Sequence, residues 1–238
     1  MLDIAREALV RAHIDLCAID AELTITQNGE RVRISLEFPD EEEFRFRVAP
    51  EDDMRLRLEC FNSVDGSTRF VAVLGWLRFV CANGLVLGAT LTNFREMHTQ
   101  QLELGDVGAL LENGLRSARE DKATYDRWLS TPVEEETLAK WVDGPLLQAW
   151  KLKAATRVFY IARAGHDIML AGKLTHAQPT TVSVNSGKQV PGSTVPATNA
   201  FDVSQALSWV AGQRRDFGDH LQWRSEIPGL LDKLIEMK

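Results

Sequence analysis

Phe61-Asn62-Ser63-Val64-Asp65-Gly66-Ser67, an apolar run over residues 69–81 that carries Trp76, and then Ala82-Asn83-Gly84-Leu85 form the stretch that decides the fold. Asp65-Gly66 is a hairpin signal, because a type I′ turn needs positive φ, which Asp tolerates and Gly adopts freely. The run between the turns is rich in Val, Leu and Phe. It is too short to span a bilayer and reads as a central strand buried on both faces. Asn83-Gly84 closes it with a second turn.

Upstream of this stretch the chain alternates. In residues 31–38 every even position is apolar and every odd one polar, the period of a strand with one wet face. Asn28-Gly29 just before it predicts a hairpin with residues 23–27. The alternation returns over residues 44–48 and again over 54–60. Its repeated unit is Arg-apolar-Arg-apolar, at Arg31 and Arg33, Arg45 and Arg47, and Arg55 and Arg57. If these strands share a sheet, the six arginines collect on the face opposite the core, with Glu37, Glu43 and Glu59 beside them. Such a face is either a solvated surface laced by cross-strand Arg–Glu pairs or a platform for a phosphate backbone, which Arg grips bidentately.

Residues 3–16 predict an amphipathic N-terminal helix. Downstream of Gly88 the piece at 91–104 is ambiguous between helix and strand; Arg95 and His98 share a face if it is helical. From Asp106 the pattern is helical as far as Trp128. Thr131-Pro132-Val133-Glu134 predicts a capped helix start with Pro at the first position, and that helix ends near Gly144. Pro145 starts another, made basic by Lys151, Lys153, Arg157 and Arg163, which stops at Gly165. Residues 171–198 are rich in Gly, Ser, Thr, Asn and Pro and predict a flexible loop. Asn199 caps the next helix and Pro228 opens the last. The expected fold class is α+β: a twisted antiparallel sheet in the N-terminal half, residues 1–104, with the helices of 105–238 packing on it in one continuous domain.

The chain has 238 residues, 45% of them hydrophobic and 26% charged, the balance of a globular protein. No run is long enough for a membrane span, and Asp3, Arg6 and Glu7 interrupt any leader, so a cytoplasmic location is expected. Three cysteines with no close pair argue against a disulfide framework or a zinc site. The five histidines, at 13, 98, 166, 176 and 220, lack metal-ligand spacing. Cys81 and Ser63 are the available nucleophiles, and neither has a His and an acid placed beside it by the sequence. No catalysis, metal or cofactor is expected. The net charge of −7 gives no general support for nucleic-acid binding, so any basic patch is local.

Asn62-Ser63-x-Asp65-Gly66-Ser67, then Cys81-x-Asn83-Gly84 after Arg78, then Arg95-x-x-His98, with Asn199-Ala200-Phe201-Asp202 and Trp209 far downstream, resemble the family catalogued as domain of unknown function 932, the phage/plasmid-like proteins. The resemblance implies a setting on mobile elements, in the cytoplasm of the host, and either DNA handling or dealing with host defences. The order of sheet then helices is also similar to that of phage single-strand annealing proteins. This likeness implies cofactor-free recombination work on single-stranded DNA by a homo-oligomer. On that reading Arg31, Arg33, Arg45, Arg47, Arg55 and Arg57 contact phosphates, with Arg78 and Arg95 in support. The alternative is a protein-interaction module acting against a host defence system, its acidic loops at 40–43 and 51–53 contacting a host protein.

Overall fold

The alternation over residues 54–60 is long because the strand that carries it is paired along its whole length. A computed structural model describes residues 6, 9–10, 14–26, 31–49, 52–63, 71–78, 86–87, 105–170, 178–214 and 217–237. They fall into two compact units, one holding the main sheet and a helix as far as Ala123, the other running on from Thr124. The fold class is α+β.

The sheet has six strands, β1 (Asp20–Thr26), β2 (Arg31–Glu37), β3 (Arg45–Ala49), β4 (Asp52–Ser63), β5 (Val71–Arg78) and β6 (Val86–Leu87), every adjacent pair antiparallel. The order is β1-β2-β4-β5-β6. β2 and β3 lie end to end along one edge of β4: β2 pairs residues 57–63 and β3 residues 52–55. β5 takes the other edge, from Met54↔Arg78 to Phe61↔Val71. Pairing on both edges buries Met54, Leu56, Leu58 and Cys60, together with Leu36, Phe46, Leu74 and Trp76 on the same face. Phe38 and Phe44 close one end, ring centroids 5.2 Å apart. Helix α1 (Gly105–Ser130) buries Ala118, and its Lys122 ammonium lies 5.5 Å from the Trp76 ring centroid and donates to the Glu42 carbonyl. The ammonium is thus placed for a cation–π contact with the indole.

The second unit is helical: α2 (Glu135–Trp141), a π turn (Val142–Leu146), α3 (Leu147–Ala164), the hairpin strands β7 (His166–Leu170) and β8 (Val184–Gln189), α4 (Ala200–Gly212) and α5 (Phe217–Glu236). Helix α4 is the centre. Its residues Ala200, Phe201 and 203–211 are all buried, so it is covered all round rather than along one stripe. Trp141, Leu146, Val158, Ile161, Leu231 and Leu234 pack in the same core, and the Trp141 indole donates to the Leu230 carbonyl at 2.9 Å.

Several expected boundaries hold. Asn199 caps α4, its side chain accepting from the Asp202 amide at 2.9 Å, and Gly165 ends α3 at φ 70°. A Cβ on Gly165 would sit 2.6 Å from Val195 Cγ2, so the position is closed to other residues by space as well as by φ. Arg6, Leu9 and Val10 are helical, as expected, but the helix does not reach Leu16: Ile14 and Asp15 are not helical, and Asp15, in extended backbone, caps a separate 3-10 turn at Leu16–Ala18 by accepting from the Cys17 amide. Residues 3–5, 7–8 and 11–13 and the segment at 91–104 lie outside the described residues.

Three proline-based expectations are corrected. Pro132 does not start a helix: α2 begins at Glu135, because Val133 donates to the Thr198 carbonyl and Ala200 to the Thr131 carbonyl, a tertiary pairing that holds 131–133 extended. Gly144-Pro145 does not separate two helices, since the π turn carries both residues through and Asp143 is tied to the Thr180 amide and hydroxyl at 3.1 and 2.6 Å. Pro228 lies inside α5, where burial of Ile227, Leu230, Leu231 and Leu234 outweighs one missing backbone bond. The reading of 171–198 as a flexible loop is also corrected for its described part. Residues 184–189 form a strand paired with β7, and 178–198 are tied in by bonds such as Ala197 to the Ala162 carbonyl at 2.7 Å.

Lys151 sits within α3 at φ 65°, ψ 169°, a region adopted with ease by glycine alone. Glycine inside a helix normally costs about 1 kcal/mol. Here Lys151→Gly is expected to raise stability by about 1 kcal/mol in urea unfolding, since it relieves a conformation costing on the order of 1–3 kcal/mol. A loss of the usual helix penalty would show that the chain does not hold this kink.

Candidate nucleic-acid interface

Because residues paired across an antiparallel ladder point to the same face, the register decides where the arginines go. Arg45 is opposite Arg55, Arg47 opposite Asp53, Glu37 opposite Arg57, and Thr24 opposite Arg33. Arg33, Arg45, Arg47, Arg55 and Arg57 therefore share the face opposite the apolar core. Arg31 is placed in β2, its backbone paired with Thr26 and Ser63, and Arg78 at the end of β5, paired with Met54. Asn62 and Ser63 end β4. Arg95, Asp65, Gly66, Cys81, Asn83, Gly84 and His98 lie outside the described residues.

The face is balanced rather than basic. Five carboxylates, Glu22, Glu37, Asp40, Asp53 and Glu59, stand among the five arginines. Glu37 holds Arg55 at 3.0 Å and Glu59 holds Arg57 at 3.5 Å; both carboxylates are mostly covered. Ser35 and Glu59 are buried, so the open part of the face is the part around Arg33, Arg45, Arg47 and Arg55.

Two carboxylates differ from the rest in being exposed and in bridging. Glu22, with its side chain 61% exposed, sets Oε1 3.6 Å from Arg33 and Oε2 3.2 Å from Arg57. Asp40, 48% exposed, sets Oδ1 3.2 Å from Arg45 and Oδ2 3.3 Å from Arg55. Each spends its two oxygens on two arginines from different strands. Asp40 in particular screens Arg45 from Arg55, like charges directly opposite that would otherwise repel. Glu22 is not picked out by the sequence, and Asp40 only as part of the acidic loop at 40–43, not as a partner of the arginines. The signal was present for Glu22, which shares the parity of Thr24 in the strand facing β2; Asp40 sits in a connection, where no periodicity applies.

Among the described residues no group of three or more His, Cys, Asp or Glu is placed to hold a metal ion, and no helix is long and apolar enough to cross a membrane. Cys60 is buried, and that burial, helped by the Glu59 charge, pushes its thiol up to about 12, so it is not a nucleophile. Cys17 is exposed. The family model described as a domain of unknown function (DUF932) matches residues 18–186. No curated protein and no solved structure matches the chain.

The basic helix α3 spends its two arginines on structure. Arg163 pairs with Glu135 at 2.6 Å, and Arg157 grips Asp167 with both arms, Nε at 2.8 Å. Asp167 also accepts from the Trp209 indole at 2.9 Å and from the Ile168 amide at 2.8 Å. Burial alone would raise the Asp167 pKa, but Arg157, Trp209 and Ile168 together hold it below the usual carboxylate value. A depressed folded pKa means stability that is present above the unfolded value and lost as pH falls through the folded one. Asp167→Asn is expected to cost on the order of 2 kcal/mol at neutral pH. The gap from wild type should then shrink as pH drops below the ordinary value of 3.8, followed by urea unfolding across that range. A gap independent of pH would show that the carboxylate charge contributes nothing.

Proposed function

The chain belongs to the DUF932 family, and from that premise we propose that it is a non-catalytic DNA-handling protein that binds single strands along the arginine face of its sheet, in the setting of strand annealing and recombination on a phage or plasmid. The observation that carries this reading is the pair of bridging carboxylates. Glu22 and Asp40 occupy, between arginines of different strands, the positions a phosphate would take. Exposed ion pairs are worth only a few tenths of a kcal/mol to about 1 kcal/mol, so a polyanion that releases its counterions on binding displaces them at small cost. The mostly covered carboxylates Glu37 and Glu59 stay, and keep Arg55 and Arg57 in place. Backbone-only contact leaves the bases of the strand outward, as annealing requires.

The test is anisotropy of labelled single-stranded DNA at two salt concentrations. Wild type should bind weakly and with strong salt dependence. Glu22→Gln with Asp40→Asn removes the two competitors and should tighten binding about tenfold, while Arg33→Ser with Arg45→Ser abolishes it. Unchanged or weaker binding in the carboxylate variant, or binding indifferent to salt, would sink the proposal.

A second reading has one observation of its own. Glu41, Glu42 and Glu43 are all exposed on the connection between β2 and β3, an acidic turn suited to a basic surface on a host protein. Under it, neutralising those three residues abolishes capture of a stoichiometric host partner and leaves DNA binding as it was.

A further inference from the structure

We propose that the helical unit carries a strand-binding surface of its own, formed by Lys151 and Lys153 of α3 and Lys188 of β8, which takes the phosphate backbone of a second single strand. It shares its ligand with the reading above and uses no residue of the arginine face. The charge of the chain is unevenly spread. Residues 144–201 hold six Lys and Arg and one carboxylate, Asp167, in a chain whose net charge is −7. A local excess of this kind, and not the overall sum, is the footprint of a nucleic-acid contact. The two arginines of the span are engaged, Arg157 by Asp167 and Arg163 by Glu135, so its lysines carry the excess. Lys173 lies outside the described residues; Lys151, Lys153 and Lys188 are exposed.

The local structure keeps these lysines at the surface. In an unbroken helix Lys151 would fall in line with Ala155, Val158 and Ala162, all buried. The φ of 65° at Lys151 breaks that line, with Trp150 buried and Lys151 exposed. Lys153 stands one turn before Arg157 on the same face of α3. Arg157 grips Asp167, which also accepts from the Trp209 indole at 2.9 Å. Lys188 reaches the same place from β8. His166 pairs with Gln189 and Ile168 with Ser186, so Gly187 and Lys188 together face Asp167 in a β-bulge. A Cβ on Gly187 would sit 2.6 Å from the Asp167 carbonyl oxygen, so glycine is the residue that fits there. Bulges re-aim side chains, and this one sets the Lys188 ammonium 5.8 Å from the Trp209 ring centroid. Asp167 and Trp209 thus join the cations of α3 and β8 in one surface, while the charge of Asp167 is matched by Arg157. Carboxylates of other elements meet α3 at its ends, Glu226 at the Trp150 indole and Glu135 at Arg163. Cations distributed over a helix and a strand suit a ligand whose charge repeats along its length, and lysine holds such a backbone as a point charge on a flexible stem.

The experiment titrates the full chain at low salt with two short, non-complementary single-stranded DNAs carrying different fluorophores, and counts the strands bound per chain by anisotropy. The lysine surface has fewer cations than the arginine face, so it fills at higher strand concentration. Wild type should take up two strands, and Lys153→Glu with Lys188→Glu one. Both positions are exposed, so loss of the fold is a separate event, visible by circular dichroism. In Arg33→Ser with Arg45→Ser one strand should remain at the higher concentrations, and adding the two lysine substitutions should remove it. A single strand in wild type that the lysine substitutions leave in place overturns the inference while the arginine-face reading stands. A single strand lost with the lysines but kept in the arginine variant bears out the lysine surface and overturns the arginine-face reading. Capture of phosphatidylserine vesicles, but of no strand, through the same lysines also overturns the inference.

Discussion

The pairing of β4 along both edges is the constraint on which the sheet unit rests. Twelve residues in one extended strand leave their side chains no choice but to alternate, and three partners fix which residue meets which. The apolar side gives the core around Met54, Leu56, Leu58 and Trp76. The other side gives Arg55, Arg57 and Glu59, to which β2 and β3 add their own arginines. A slip of one residue would turn every one of these charges into the core, so the register that holds the fold is the same register that builds the arginine face.

That face is a compromise between cohesion and readiness. Like charges such as Arg45 and Arg55 cannot stand opposite each other without an anion nearby, and the chain supplies its own in Asp40. Covered carboxylates lock their arginines, whereas exposed ones hold them loosely. Glu37 and Glu59 belong to the covered kind, Glu22 and Asp40 to the exposed kind.

The strands were legible because period two is a strong signal, and the five described arginine side chains fall on the face that their spacing predicts. Asn199 and Gly165 were legible because cap chemistry is local. The prolines at 132, 145 and 228 misled because each was read as punctuation, while long-range pairing to 198–200, a π turn and a well-buried helix face decided their settings instead. β8 was hidden in a polar stretch, since a two-stranded hairpin stands on its backbone bonds to β7 and on few apolar residues. The bridging role of Glu22 and Asp40 depends on which strands adjoin, and no composition or spacing carries that information.

The most direct measurement of the central claim is a nitrogen-15 NMR titration of the arginine side-chain Nε–H signals with a single-stranded oligonucleotide. The account predicts that the signals of Arg33, Arg45 and Arg55 move together and saturate at one concentration, as phosphate replaces the Glu22 and Asp40 oxygens. Signals that stay in place while the strand binds elsewhere, or that never respond, would contradict it and leave the arginine face as an ion-paired surface of the sheet.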